Sequence, residues 1–317
     1  MPLLETKGAA SAQGFGGAGA GSSGPVNYIE DVFSTYLYTG NGSTQTITNG
    51  IDLSTKGGLV WFKSRTSAYA HSLFDTVRGP TFRLNTADTL AQATNGGTIA
   101  FNSNGFTTPN NESTSSRSGE PYASWTFREQ PKFFDIVTWT GDGNNSRQIS
   151  HSLGSKPGFI LIKGIDNSAG SGILSWTAFH VTSDYGLTLN TTSAGFYSAG
   201  TGNVYVTSTY FVPGQLPNAN GQLGQGAGPG ERYVAYLFAH NAGGFGLTGS
   251  DNVISCGSYT TDSSGNATIN LGYEPQFLLV KRSDSSSNWI LMDVMRGQSQ
   301  TNTNPLYADL SSAEASY

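Results

Sequence analysis

Cysteine is nearly missing from this chain: Cys256 is the only one in 317 residues. No intrachain disulfide can form and a cysteine-ligated zinc is excluded, so stability must come from packing and association. Charge is scarce too, at 12% of residues, with a formal net charge of −5. A nucleic-acid groove needs clustered Lys and Arg to displace counterions, and that class is excluded. No apolar run is long enough to span a bilayer, and residues 1–27 lack the charged-then-apolar order of a signal peptide, so neither membrane insertion nor Sec export is expected. The four histidines, His71, His151, His180 and His240, have no H-x-x-x-H or H-E-x-x-H spacing, and no metal site or cofactor is expected. The stretch "GQGAGPGER" (224–232) lacks the lysine and following Ser/Thr of a phosphate loop.

What the chain does hold is glycine (42 residues), many Ser, Thr and Asn, and 12% aromatics. Those small polar residues are poor in helix interiors, whereas spaced aromatic and β-branched clusters can build a core of short strands and tight turns. The predicted class is all-β.

A long repeat organises it. "LYTGNGSTQTITNGIDLSTKGGLVWFKS" (37–64), "TWTGDGNNSRQISHSLGSKPGFILIKG" (138–164) and "SYTTDSSGNATINLGYEPQFLLVKRS" (258–283) share a plan. Each has an aromatic and a threonine, a polar turn, an isoleucine (Ile47, Ile149, Ile269), then an apolar run closed by Lys63, Lys163 or Lys281. A spacing of about a hundred residues marks duplicated domains rather than a solenoid, whose repeats run roughly 20–50 residues. Leu84-Asn85-Thr86 answers Leu189-Asn190-Thr191, Ile99-Ala100-Phe101 with Phe106 answers Val204-Tyr205-Val206 with Phe211, and "EPYASWTF" (120–127) answers "ERYVAYLF" (231–238). The third copy reaches "WILMD" (289–293), the counterpart of Leu73-Phe74-Asp75, and lacks the middle and closing strands. The expectation is that this chain is cut short, or that the ordered part ends at Tyr317 while the natural protein continues. The expected domains are an N-terminal docking segment 1–27, β-sandwich modules at 28–130 and 131–245, and an incomplete module at 246–317.

Uninterrupted apolar runs before each lysine suggest strands covered on both faces. The lysine ammonium is expected at the sheet margin, in water. The alternating closing strands are expected to be half-buried. Trp61, Trp125, Trp139, Trp176 and Trp289 stand inside strand patterns, which favours core packing over exposed sugar platforms. "TGDGNN" and "TTDSSGN" could hold calcium, but Asn-Gly and Asp-Gly steps are also hairpin turns, and the turn reading prevails. Asp75 and Asp293 recur at equivalent places where the second copy has His180, so they are expected as turn caps or partners for Arg78 and Arg296 rather than as a hydrolytic carboxylate pair. No catalytic residue is assigned. In residues 1–27, Leu3, Leu4, Phe15 and Val26 are apolar anchors in a Gly/Ala/Ser background that could order on a larger partner.

The phrase "YTGNGSTQTI…GGLVWFKSR…HSLFDTVRGPTFRLNT…NGFTT…GEPYASWTF", with its echo "LMDVMRGQ" (291–298), resembles modules of bacteriophage tail-fibre and tail-associated virion proteins. "LLETKGAASAQGFG" likewise resembles the tail-binding start of such an appendage. The resemblance covers residues 30–240 well and 250–300 in part. It implies tandem lectin-like or jelly-roll β-sandwiches extending outward from the tail, in a homo-oligomer, most simply a trimer. The implied role is virion structure and host attachment, with tail proteins (an adaptor or nozzle) and a host surface glycan as partners. The alternatives are a polysaccharide-degrading tail enzyme with accessory sandwiches, or a tail adaptor or capsid decoration protein without receptor contact.

Overall fold

The computed structural model describes residues 26–94, 96–142, 144, 146–166, 175–181, 185–197, 205–213, 230–297 and 304–315. It is all-β, as expected, with helical geometry confined to short 3-10 turns such as Ile29–Asp31 and Val294–Arg296. Among the described residues no helix is long and apolar enough to cross a membrane.

Module one contains β1 (Phe33–Thr39), β2 (Gln45–Thr48), β3 (Gly58–Ser64), β4 (Ser72–Asp75), β5 (Ala100–Asn102), β6 (Gly105–Thr108) and β7 (Pro121–Arg128). They form a larger sheet in the order β1-β7-β3-β4 and a smaller one in the order β2-β6-β5. Module two repeats this plan with β8 (Phe134–Thr140), β9 (Ile149–Ser150), β10 (Pro157–Gly164), β11 (Thr177–His180), β12 (Tyr185–Thr188), β13 (Phe196–Tyr197), β14 (Tyr205–Val206), β15 (Tyr210–Val212) and β16 (Arg232–Ala239). Its larger sheet runs β13-β12-β11-β10-β16-β8 and its smaller one β14-β15-β9. Module three contributes β17 (Phe277–Val280), β18 (Ile290–Asp293) and β19 (Leu306–Tyr307), paired in that order.

Alternation along the lysine strands explains their unbroken hydrophobicity. In β3, Val60 and Phe62 face the smaller sheet of their own module, packing with Ile47, Phe74 and Phe106. Leu59 and Trp61 point the other way, into a core shared by all three modules. In β10, Ile160 and Ile162 meet Ile149 and Phe211 inside module two, while Leu161 joins the shared core. Both faces of each strand are thus covered, which is what a continuous apolar run signals.

Two expectations need correction. The closing strands are not half-buried: β7 lies between β1 and β3, β16 between β8 and β10, and both are buried along nearly their whole length. Their polar-looking alternation (Ser124, Thr126) is absorbed by the module interior, where Asn49 Nδ2 donates to Thr126 Oγ1 at 2.8 Å. Nor do the modules run outward in a line. They close on one another around the shared core, in which Trp125, Trp176, Tyr236, Trp289 and Leu306 all pack.

Candidate functional site

The junctions between modules hold the most specific chemistry in the molecule, and they repeat. Pairing of Leu73 with Leu84, Ala178 with Leu187 and Leu291 with Leu306 puts the three copies in one register. That register sets Leu84 against Leu187, two residues from the Leu-Asn-Thr match suggested by sequence. Two positions before the first member of each pair stand His71, Trp176 and Trp289. His71 Nε2 bonds the Tyr307 carbonyl of module three at 3.0 Å. Trp176 Nε1 donates to the Asn85 carbonyl of module one at 2.8 Å, and Trp289 Nε1 to the Thr188 carbonyl of module two at 3.0 Å. Each donor reaches the module before it, and the cycle closes. A second set repeats around the ring with each donor reaching the module after it: Gln92 N–H to the Ile165 carbonyl at 3.0 Å, Gly195 N–H to the Ser283 carbonyl at 3.0 Å and Glu314 N–H to the Arg65 carbonyl at 2.8 Å. The modules therefore form a pseudo-threefold ring.

His71 can fill a tryptophan's place because its tautomer is fixed. Trp61 Nε1–H donates to its Nδ1 at 2.8 Å, which leaves the proton on Nε2 to donate onward. Burial holds its pKa well below the ordinary value, so the ring stays neutral. Sequence reading missed this trio because histidine and tryptophan share no letter, only a ring N–H. The signal was positional.

Asp75 and Arg78 form a buried pair 2.5 Å apart, and Asp293 with Arg296 repeats it at 2.6 Å. In both, the carboxylate accepts the arginine's own backbone N–H and the guanidinium reaches back to the Leu73 or Leu291 carbonyl. Both pairs then grip the closing strand of the next module. Tyr236 Oη donates to Asp75 at 2.7 Å; burial keeps that phenol far above its usual pKa and so protonated. Trp125 Nε1 donates to Asp293 at 3.0 Å, with the Arg296 guanidinium 5.7 Å from the Trp125 ring centroid. Tyr236 and Trp125 occupy corresponding positions of the closing strands, opposite Leu161 and Trp61. His180 stands at the equivalent place in module two, opposite Phe159 as Asp75 is opposite Leu59.

The lysines overturn a further expectation. Lys63 and Lys163 are fully buried, because ring closure covers the sheet ends that would otherwise be margins. Burial lowers Lys63 to about 8 and Lys163 to about 7. Lys63 Nζ donates to the Ser64 carbonyl at 2.7 Å; Lys163 Nζ lies 3.5 Å from the Asp88 carbonyl of module one and 5.8 Å from the Trp176 ring centroid. Lys281 is partly exposed and donates to Thr192 and Ser287 carbonyls.

The remaining candidates have structural placements. Trp61, Trp125, Trp176 and Trp289 are buried, and Trp139 is half-buried, stacked on Tyr233. Asp142 and Asp262 cap their turns, accepting the Asn144 N–H and the Ser264 and Asn266 N–H groups respectively. Among the described residues no group of three His, Cys, Asp or Glu side chains could hold a metal ion. Burial pushes the Cys256 thiol up to about 12, which suppresses its reactivity. Glu129, raised to about 7 by burial and then by Asp135, sits at the link between modules one and two. The docking residues Leu3, Leu4 and Phe15, and the glycine-rich stretch 224–229, lie outside the described residues, while Val26 is exposed.

A family model described as a domain of unknown function (DUF7483) matches residues 29–317. The chain belongs to that family. The DUF7483 match takes in all three modules as one stretch and leaves out the four docking candidates. No curated protein and no solved structure matches the chain.

Proposed function

We propose that this DUF7483 protein is a non-enzymatic structural component of a phage virion, a tail fibre or tail appendage. It is docked to tail proteins through residues 1–27 and contributes to host attachment. The observation that carries the reading is the use made of "SLFDTVRGP" (72–80), the stretch most like tail-associated modules. Its Asp75 and Arg78 are spent on a buried junction to Tyr236 rather than presented to a substrate. That suits a body that must hold its shape outside a cell without disulfides. Homo-oligomerisation, most simply as a trimer, would add multivalency, so that weak contacts to a surface glycan gain from high effective concentration.

Immunogold labelling of intact particles tests the location. Label at the tail supports the reading, and label confined to the head overturns it. Removing residues 1–27 should abolish incorporation into particles while leaving the far-ultraviolet circular dichroism of the ring unchanged; undiminished incorporation would rule out the docking role.

A further inference from the structure

Modules one and two each place a closing strand between the opening strand and the lysine strand: β7 between β1 and β3, β16 between β8 and β10. Among the described residues, module three has the flanking parts without the middle. Among the described residues β17 pairs with β18 alone. The Val294 N–H donates to the Gln276 carbonyl, and this fixes the alternation along β17. Leu278 and Val280 aim their backbone groups at β18, while Phe277, Leu279 and Lys281 aim theirs at the open edge. The opening segment, where β1 and β8 have their counterpart, forms no strand, and residues 257–261 have no backbone hydrogen-bond partner among the described residues. Its side chains are stranded as well. Tyr259 is 52% and Ile269 51% exposed, whereas their counterparts Tyr38 and Ile47 are 9% and 3% exposed.

We infer that module three is an acceptor for one inserted strand: a peptide segment with the closing-strand chemistry Glu-x-Tyr-x-x-(Trp/Tyr)-x-Phe enters antiparallel between residues 254–260 and β17. The two complete modules define the occupant. Phe127 and Phe238 sit opposite Leu59 and Phe159, and Trp125 and Tyr236 opposite Trp61 and Leu161. The inserted phenylalanine therefore meets Phe277 and its Trp or Tyr meets Leu279, entering the shared core. The ring's rotation sets that same aromatic beside His180, at the position where Asp75 holds Tyr236 and Asp293 holds Trp125. An inserted strand satisfies its own backbone on both sides, unlike a strand added to an ordinary sheet edge.

The test uses the 317-residue protein and a fluorescent peptide with the sequence of residues 118–129, "SGEPYASWTFRE". Saturable binding at one peptide per chain is expected, with the oligomeric state by sedimentation unchanged by the peptide and the Leu279 and Lys281 amides newly protected from hydrogen exchange. A scrambled peptide, and the parent peptide N-methylated at the position of Trp125, should each bind at least about tenfold more weakly, because the methyl group removes the donor facing β17. Equal binding of the N-methylated peptide overturns the inference. So does absence of binding, or a concentration-dependent dimer that already protects those amides without the peptide, since a second copy would then fill the slot.

Discussion

At the scale of single residues, two kinds of buried charge behave oppositely. Asp75 and Arg78 neutralise one another inside a hydrogen-bonded cluster, so cutting the pair leaves an uncompensated charge. Arg78→Met should cost about 3–5 kcal/mol, the usual penalty for stranding one partner of a buried pair. Arg296→Met should cost a similar amount, since its contacts repeat those of Arg78 almost atom for atom. Chemical denaturation measures both, and a loss under about 1 kcal/mol would mean the clusters are solvated. Lys163 is buried instead beside the Asp88 carbonyl and the Trp176 ring. Its folded pKa of about 7 lies below the unfolded value of about 10.4. Between those values the unfolded chain binds a proton that the folded chain does not, so stability climbs as pH rises from about 7 towards 10. Lys163→Met should flatten that slope and be more stable than the parent at pH 6, where the parent must bury the charge. Parallel denaturation curves for the two proteins from pH 6 to 9.5 would refute this.

At the scale of elements, the strands that sequence periodicity exposes best are those whose burial is decided locally. The runs ending in Lys63 and Lys163 were legible because a strand covered on both faces needs apolar residues at every position. Asp75 and Asp293 were legible as caps because a turn with an acid three residues before its arginine closes on itself. The half-buried reading of β7 and β16 failed for a different reason: both are central strands, and in β7 Ser124 and Thr126 satisfy their hydroxyls inside their own module, on the Tyr36 carbonyl and Asn49, which no local pattern records. The same ladder logic separates β17 from its siblings. Among the described residues β3 and β10 are each paired on both sides, β17 on one. Amide exchange at Leu279 and Lys281 should therefore be at least about a hundredfold faster than at Trp61 and Leu161, since an edge amide opens without unfolding the core. Equal protection would indicate that β17 already has a second partner.

At the scale of the whole molecule, the three copies do together what none does alone. Each larger sheet turns one apolar face outward from its own sandwich, and an isolated module would expose Trp61 or Leu161 with its neighbours to water. The ring buries those faces against one another, which is why modules that look separable in sequence share a core. Closure depends on contacts more than 200 residues apart, such as His71 with Tyr307 and Arg65 with Glu314, and local pattern cannot disclose them. The consequence can be tested far from the alteration. Removing residues 304–317 takes away β19, the Tyr307 carbonyl and the Glu314 contacts to both Arg65 and Arg296. In a linear array only module three would loosen. In the ring, module one loses the cover over His71, whose depressed pKa rests first on burial. The imidazole should then titrate closer to its ordinary value of about 6.5 in an NMR pH series, and the Trp61 indole N–H should lose its exchange protection. If His71 stays untitrated in the shortened chain, the cycle of junctions does not close through module three, and the modules hold together by the shared hydrophobic core alone.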